Sequence, residues 1–476
     1  MSILLAFIGL IIYFLILLFV VIKNKNIKNS YDYFFADRSL PFWALSITFV
    51  ASWWGAGSAL SSADLAFGSG MGAFFYYGVP VLISTFLMIL GAAKIRRVGY
   101  LTQGKMMEKR YSKLTARILS VMIVIFMIFN AASQMVGIGD FFGTYLGINY
   151  ELAIILGTSI VLIYSMFGGF KAVVITDIIQ FVLLSGSVFL VFIYGLKYSG
   201  GIKNIAYVAE SMGKTGYMDI FSGTKKYMVY VITFGCSWVI QANVWQRISA
   251  ARNDKDARNM AILSFVVYIP LYLMVVITGM AGFAIYKTLP QGGIIIAIVR
   301  DYMSPLVATI VFVGISAAIM STMDSLINTG AMTLLMDFDI FKKDSGVNYS
   351  RIATLIITMV AFLIAIRIRS ILKISWIASD VITTGVFIPL VFGFVWKRGN
   401  SYGAISSMIM GLVYCLYNLF IEFGINLPHF WKHNSTEQVI LGVLISTFLY
   451  FGVSLLTQPE YLKAEKFIKK GSIKRV

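Results

Sequence analysis

Long apolar runs alternate with short polar stretches along almost the whole chain. These runs give thirteen candidate membrane spans, with approximate limits 2–22, 41–67, 73–93, 115–143, 150–168, 174–196, 227–249, 260–286, 304–336, 353–374, 379–396, 403–424 and 438–456. About 20 helical residues cross a hydrocarbon layer of roughly 30 Å, and several runs reach that length. Because backbone groups in lipid must pair within their own segment, the runs predict α-helices. We expect an all-α, polytopic membrane protein.

Composition agrees with this pattern. The 476 residues are 59% hydrophobic and only 13% charged, with a mean hydropathy of +0.84. A soluble domain of this size needs more charge on its surface. No connection between the runs is long enough for a catalytic domain, so we expect no enzymatic activity. The lipid bilayer is the expected partner around the helices. The oligomeric state stays open, and a monomer is one of the alternatives.

The net charge of +18 is distributed as an orientation signal. Lys and Arg lie between the apolar runs and in the C-terminal tail, without an aromatic-interleaved basic face, so we expect no nucleic-acid partner. Most of these residues face the cytoplasm if the N-terminus is outside, as the positive-inside rule requires. We assign Arg247 to one of these cytoplasmic stretches. The first run lacks a basic n-region and is expected to be a retained helix instead of a signal peptide.

The second span contains residues that weaken a helix in the middle of the membrane. Gly55 and Gly57 are two positions apart and are flanked by Ser52 and Ser58. An unwound turn there would free backbone carbonyls, which are natural ligands for a hard cation such as Na⁺. The alternative is a small-residue packing face between helices.

The ninth span carries two adjacent hydroxyls at a comparable position. Ala318, Ser321 and Thr322 share one helix face, and hydroxyl oxygens could bind sodium weakly enough to release it. The alternative is hydrogen bonding back to the preceding turn. We expect the second and ninth segments both to be interrupted within the lipid and to face one another, with Ala51 close to Ser321.

The seventh span is unusually polar and opens the second half of a repeat. A Gly235-Cys236-Ser237 weak point is expected near its middle. Spans two to six and seven to eleven each contain five helices, and each set begins with an interrupted one. Since five is odd, the two sets run in opposite directions, which is the inverted-repeat layout of many transporters.

Four strings give the chain a resemblance to a known family. They are the Ala51-Ser52-Trp53-Trp54-Gly55-Ala56-Gly57 segment, the string from Tyr164 to Gln180 with Gly168, Gly169 and Asp177, the Gln241 to Arg247 region, and Met320-Ser321-Thr322-Met323-Asp324-Ser325. The chain resembles the sodium:solute symporters, whose members include proline, glucose, sialic acid and choline carriers. The resemblance implies a LeuT-type five-plus-five inverted-repeat core with one helix before it and two after it. We expect a single transporter domain over 1–476, with an extra helix and basic loop at 1–40, the core at 41–400 and a two-helix extension with a basic tail at 401–476.

The resemblance also implies where sodium is bound. The main site joins two backbone carbonyls three residues apart to two adjacent hydroxyls and a further carbonyl. On this sequence its ligands are Ala51, Trp54, Ala318, Ser321 and Thr322. Some relatives hold a second sodium, for which Asp177 and Ser325 are the candidates. Because Ala318 stands where those relatives carry a serine, we expect a single sodium.

The resemblance further implies a solute pocket around the broken part of the second span and on core helices 3, 6 and 10. The candidates are Ser52, Trp53, Gly55, Gly57, Gln134, Trp238, Gln241 and Thr384. The indole face of Trp53 could hold a quaternary ammonium, although relatives with other substrates share a tryptophan there. No intramembrane Lys or Arg is evident to bind a substrate carboxylate.

The expected function is sodium-coupled symport of a small organic solute into the cell by alternating access, in the cell membrane. Sodium is then co-transported, and the C-terminus is cytoplasmic. The main alternative is a sodium-responsive sensor or receptor built on a transporter core, which we expect to need a signalling module that the short basic tail does not provide. A passive channel is a third alternative and would need a continuous polar stripe.

Overall fold

A computed structural model describes residues 3–24, 33–34, 40–338, 347–422 and 435–472. The predicted basic loop after the first span and the end of the basic tail lie largely outside these residues. Within them the chain is helical and forms no strand beyond an isolated bridge between Leu40 and Ala251. The helices of the first half are α1 Ile3–Lys23, α2 Phe42–Trp53, α3 Ser62–Ser69, α4 Phe74–Val98, α5 Gln103–Arg110, α6 Lys113–Leu146, α7 Tyr150–Tyr198 and α8 Gly201–Ser211. The helices of the second half are α9 Thr224–Val239, α10 Ala242–Ala250, α11 Asp254–Tyr286, α12 Ile294–Tyr302, α13 Pro305–Asp337, α14 Val347–Arg367, α15 Ile371–Gly385, α16 Phe387–Gly393, α17 Ser401–Glu422, α18 Ser435–Leu456 and α19 Tyr461–Ser472.

The all-helical prediction is confirmed, whereas the number of crossings stays a prediction. Nine helical stretches of the described chain are long and apolar enough to span a membrane. The bent pair α15 and α16, with 49° between its halves, makes ten. Two of the nine stretches, 57–98 and 150–198, each overlap two of the predicted spans.

The length of α7 shows why one continuous stretch can contain two spans. Its 49 residues would extend about 74 Å as a straight helix, more than twice a hydrocarbon layer of about 30 Å. Gly169 interrupts it with φ 58° and ψ −178°, a conformation that glycine adopts without steric cost. This break lies in the predicted turn between the spans 150–168 and 174–196.

The second and seventh spans are interrupted, as the sequence predicts. After α2 ends at Trp53, Trp54 leaves the helical region, and the chain resumes through a π-helical turn at Gly57–Ser61. The break in the seventh span lies at Ile240 and Gln241, between α9 and α10. The weak point that the sequence predicts at Gly235-Cys236-Ser237 was wrong, because these residues remain helical in α9.

The ninth span is not interrupted, and the expectation that it would be was wrong. It forms the continuous 33-residue helix α13. Hydroxyl side chains do not break a helix, since they can donate to the carbonyl one turn earlier. Thr329 and Thr333 do this to Ser325 and Thr329 at 2.8 and 2.9 Å. This helix therefore offers side-chain oxygens while its backbone stays intact.

The long helix α13 is the centre of the bundle. It packs against α6, α7 and α2, and 83% of its most apolar 18-residue stretch is buried. The helices α17 and α18 pair with each other and pack on α15 at the periphery. The last helix, α19, lies against α4 and α5. The broken α2 is thus held beside the continuous α13 in the interior.

Candidate functional site

The break after α2 meets α13 through a hydroxyl. Thr322 Oγ1 lies 3.2 Å from the carbonyl oxygen of Ala51 and 3.3 Å from that of Ala318. A hydroxyl has one proton to donate and two lone pairs, so its oxygen can still bind a cation. The structure therefore brings together Ala51, Ala318 and Thr322 from the predicted main sodium site.

The other two predicted ligands of that site differ in their contacts. Ser321 is fully buried and its hydroxyl donates to the Asp177 carboxylate. Trp54 lies in the break, and its backbone N–H donates to the carbonyl of Val50 at 3.0 Å. Ser321 is adjacent to Thr322 along α13, and its hydroxyl is bound to Asp177 in this structure.

A buried ion pair lies next to these hydroxyls. Asp177 on α7 accepts hydrogen bonds from Thr48, Ser321 and Arg247, with Arg247 Nη2 at 3.3 Å. The guanidinium also donates to Ser325 Oγ at 2.7 Å and to Thr48 Oγ1 at 3.1 Å. Both proposed ligands of a second sodium, Asp177 and Ser325, are therefore bound to a protein cation.

The sequence counts Arg247 among the residues of a cytoplasmic stretch, whereas the structure buries this side chain among the helices. The residue lies on α10 with no exposed surface, and its Nη1 donates to the carbonyl of Asn243 at 2.9 Å. A buried charge needs a partner, and Asp177, about 70 positions earlier, provides it. The signal available in the sequence was one arginine at the end of a polar span and one aspartate inside another.

A cavity of about 390 Å³ lies directly beside the break. Its walls contain seven of the eight predicted solute-binding residues, together with Thr322 of the hydroxyl pair. The predicted seven are Ser52, Trp53, Gly55, Gly57, Gln134, Trp238 and Gln241. Sequence reasoning missed Ser58, Tyr77, Asn130, Leu326 and Ser375, which also line it. None of these lining residues carries a full charge.

Aromatic rings form one side of the cavity. The ring centroids of Trp53 and Trp238 are 5.7 Å apart, and those of Tyr77 and Trp238 are 5.0 Å apart. Trp53 Nε1 and Gln241 Oε1 are buried without a hydrogen-bond partner in the described part of the chain. Buried polar atoms are rarely left unpaired, so one donor and one acceptor are available to a bound solute.

Gln134 stabilises the break by a hydrogen bond to its backbone. Its Oε1 accepts a hydrogen bond from the backbone N–H of Ala56 at 2.8 Å, and its Nε2 donates to Ser133 Oγ at 3.1 Å. The side chain thereby pairs a backbone donor within the interrupted segment. Gln134 therefore fixes the geometry of the break as well as lining the cavity.

Thr384 is the predicted solute residue that lies elsewhere. Its hydroxyl donates to the carbonyls of Asp380 and Gly411 at 2.7 and 3.2 Å. It lines a separate cleft of about 430 Å³ together with Trp376 and Tyr414. The position of Thr384 along α15 predicted a place in the solute cavity. The rotation of α15 about its axis instead turns Thr384 toward α17.

Comparisons with known proteins point to one family. The family described as "Sodium:solute symporter family" matches residues 33–411. The osmoregulated proline transporter OpuE of Bacillus subtilis is 26% identical over 368 residues, covering 74% of this chain and 73% of OpuE. The sodium/pantothenate symporter of Haemophilus influenzae is 26% identical over 447 residues, covering 88% and 90%. These relatives are transporters and not enzymes.

The fold is shared with a solved structure of a Na⁺-coupled sialic acid symporter. That structure superposes with a TM-score of 0.77 at 20% identity, over 96% of this chain and 98% of the other. The expected LeuT-type architecture is confirmed by this likeness and by a second transporter fold, that of MhsT, at a TM-score of 0.53 and 14% identity, over 90% of this chain and 98% of that one.

Proposed function

Because the chain belongs to the sodium:solute symporter family, we propose that its transport is driven by a sodium ion bound between the break of α2 and the hydroxyls of α13. The protein is a secondary transporter that couples sodium to a small organic solute across the membrane. The relatives offer no support for a sensor. The proposed ligands are Ala51, Trp54, Ala318, Ser321 and Thr322.

The observation that carries this proposal is the 3.2 Å contact between Thr322 Oγ1 and the Ala51 carbonyl. An ion between them would replace a weak hydroxyl contact with coordination from both helices. The oxygens are neutral, so they would bind sodium without holding it too tightly to release. Because α2 is interrupted and α13 is continuous, the ion would fix the flexible partner against the rigid one.

Sodium and solute would act on the same interrupted segment. Ala51 belongs to the proposed ion site, while Ser52 and Trp53 line the cavity. Sodium that orders this segment would reduce the conformational cost of binding solute, and linkage requires the effect to be reciprocal. This shared segment is the proposed physical basis of coupling.

We propose one sodium per cycle. A second ion at Asp177 and Ser325 would have to displace the guanidinium of Arg247, which is 2.7 Å from Ser325 Oγ. The adjacent Ala318 has no hydroxyl to add. The protein cation would therefore occupy the position of a second sodium.

The cavity fits a small polar solute that brings no unpaired charge. Its lining includes the amide residues Gln134, Gln241 and Asn130, the hydroxyl residue Ser375, and the rings of Trp53 and Trp238. An ammonium group on the solute could be held by the indole face of Trp53. A carboxylate on the solute would find no basic side chain among the described lining residues.

We propose a cell-membrane location with the N-terminus outside and the C-terminus in the cytoplasm.

The test compares two buried threonines of the same helix. Thr322→Val removes the proposed ligand, whereas Thr333→Val removes a hydroxyl that donates to the carbonyl of Thr329 at 2.9 Å. A hydrogen-bond partner of a charged group contributes about 1.5–3 kcal/mol. Thr322→Val should therefore raise the sodium concentration that gives half-maximal solute uptake by roughly ten-fold or more. Thr333→Val should leave it unchanged.

Solutes are first identified by thermal shift of the purified protein with and without sodium. Uptake of a responding solute into proteoliposomes is then measured against the sodium concentration. Equal sodium dependence in Thr322→Val and the unmodified protein would reject the site. Uptake that is independent of a sodium gradient in the unmodified protein would reject the coupling itself.

A further inference from the structure

An apolar groove of about 790 Å³ opens on the side of the bundle, apart from the central cavity. It runs between the end of α4, the break that separates α9 from α10, and α16. Leu90 and Val395 in its walls are 60% and 57% exposed, so the groove faces the outside of the protein. In a membrane, the surrounding medium at such a surface is the acyl chain of a lipid.

One lining residue is charged. Lys94 lies four residues before the end of α4, at the rim of the groove, and is exposed. Its neighbours on the same helix end are paired: Arg97 binds Asp254 at 2.7 Å, and Arg96 donates to the carbonyl of Ala251 at 2.6 Å. Lys94 makes no polar contact within the described part of the chain. It is therefore available to an external anion.

The amphipathic helix α19 adds positive charge at this end of the groove. Its buried Phe467 contacts Phe394 of the groove wall, with ring centroids 5.1 Å apart. Lys466 and Lys469 on its outer face are exposed and have no polar partner among the described residues. A basic amphipathic helix beside an apolar surface is typical of contact with anionic lipid headgroups.

We propose that the groove binds an acyl chain of one anionic phospholipid, whose phosphate is held by Lys94, with the lysines of α19 strengthening the attraction. The apolar walls would contact the acyl chain of the lipid, and the ammonium group of Lys94 at the rim would bind the phosphate of its headgroup. The groove is open beside Gly91 because this residue has no side chain to fill it. A Cβ at this position would meet only Ile95 Cδ1, at 3.9 Å.

The bound lipid would contact the break in the seventh span. Trp245 lies in the groove wall, and its indole Nε1 donates to the carbonyl of Val239 at 2.9 Å, across the break. The same break carries Gln241, which lines the central cavity. A lipid that favours one arrangement of this segment would therefore shift the affinity for solute.

The proposal is tested on the purified full-length protein by native mass spectrometry, after equilibration with phosphatidylglycerol or phosphatidylcholine. The unmodified protein should retain one phosphatidylglycerol in preference to phosphatidylcholine. Lys94→Gln should lower the retention of phosphatidylglycerol about five-fold and leave phosphatidylcholine unchanged, because one basic residue near an anionic surface contributes an attraction of that size. Gly91→Leu should abolish retention of both lipids by filling the groove.

Gly186→Leu is the matched control, because Gly186 is exposed on α7 and a Cβ there has no neighbour within 4 Å. It should retain lipid like the unmodified protein. Retention by Gly91→Leu at the unmodified level would overturn the groove as the site. An unchanged headgroup preference in Lys94→Gln, or equal retention of the two lipids by the unmodified protein, would overturn the role of the lysine. Lipid retention is measured without transport, so a failure here is distinguishable from a failure of the sodium site.

Discussion

Removing one charge of the Arg247–Asp177 pair is expected to destabilise the protein far more than removing both. The side chains are 1% and 0% exposed, and Nη2 lies 3.3 Å from Oδ2. Breaking a buried pair by removing one partner costs about 3–5 kcal/mol, because the other charge stays buried without compensation. Replacing both charges by neutral side chains is often close to neutral.

The measurement is a double-mutant cycle of Arg247→Met and Asp177→Asn. The free energy of unfolding is measured in detergent from the tryptophan fluorescence during denaturant titration. Each single variant should lose about 3–5 kcal/mol, and the double variant should lose less than either. The coupling energy should then reach about 3 kcal/mol or more.

A second buried arginine provides the control. Arg110 is also fully buried, but its guanidinium donates to the carbonyls of Gly393 and Trp396, both at 2.8 Å. Arg110→Met should be destabilising and additive with Asp177→Asn, since the two residues share no partner. If Arg247→Met and Asp177→Asn are also additive, the pair does not hold the helices together as argued.

The same cycle tests whether the arginine excludes a second cation. In Arg247→Met, the carboxylate of Asp177 keeps its hydrogen bonds from Thr48 and Ser321, while Ser325 loses its cationic partner. This variant should be stabilised by sodium more steeply than the unmodified protein. An identical sodium dependence of the midpoint temperature would argue against the exclusion.

Two further predictions concern the break in α2. Gly57→Ala should weaken solute binding by roughly ten-fold without changing sodium affinity, because its Cβ would overlap Tyr77, which lines the same cavity, at an overpacking cost of about 1–3 kcal/mol. Solute binding is measured by scintillation proximity, and Gly68→Ala, where a Cβ has open space, is the control. Gln134→Leu should lower the free energy of unfolding by about 1–3 kcal/mol, because the N–H of Ala56 loses its acceptor at 2.8 Å. Denaturant unfolding checks this second change, and an unaltered midpoint would show that water or another group replaces the amide.

The sequence by itself determined the helical architecture and the place where the second span is interrupted. A chain in lipid must pair its backbone groups within each segment, so apolar runs locate helices without knowledge of their neighbours. The glycines at 55 and 57 correctly located the break after α2, because backbone freedom is a local property. The family resemblance also selected the solute candidates, and seven of the eight line one cavity; polar residues in lipid-spanning segments are costly unless they face a shared interior.

The tertiary structure decided which side chains meet. Nothing local to α10 indicated that Arg247 would be buried against Asp177, because that contact depends on the packing of helices about 70 residues apart. Helix rotation likewise turned Thr384 away from the cavity. The continuity of α13 followed from packing on three sides and from hydroxyls that bond within the helix, neither of which adjacent Ser and Thr residues reveal. Pairing between distant segments is set by the rotation and depth of whole helices, and the pattern along one segment does not encode those quantities.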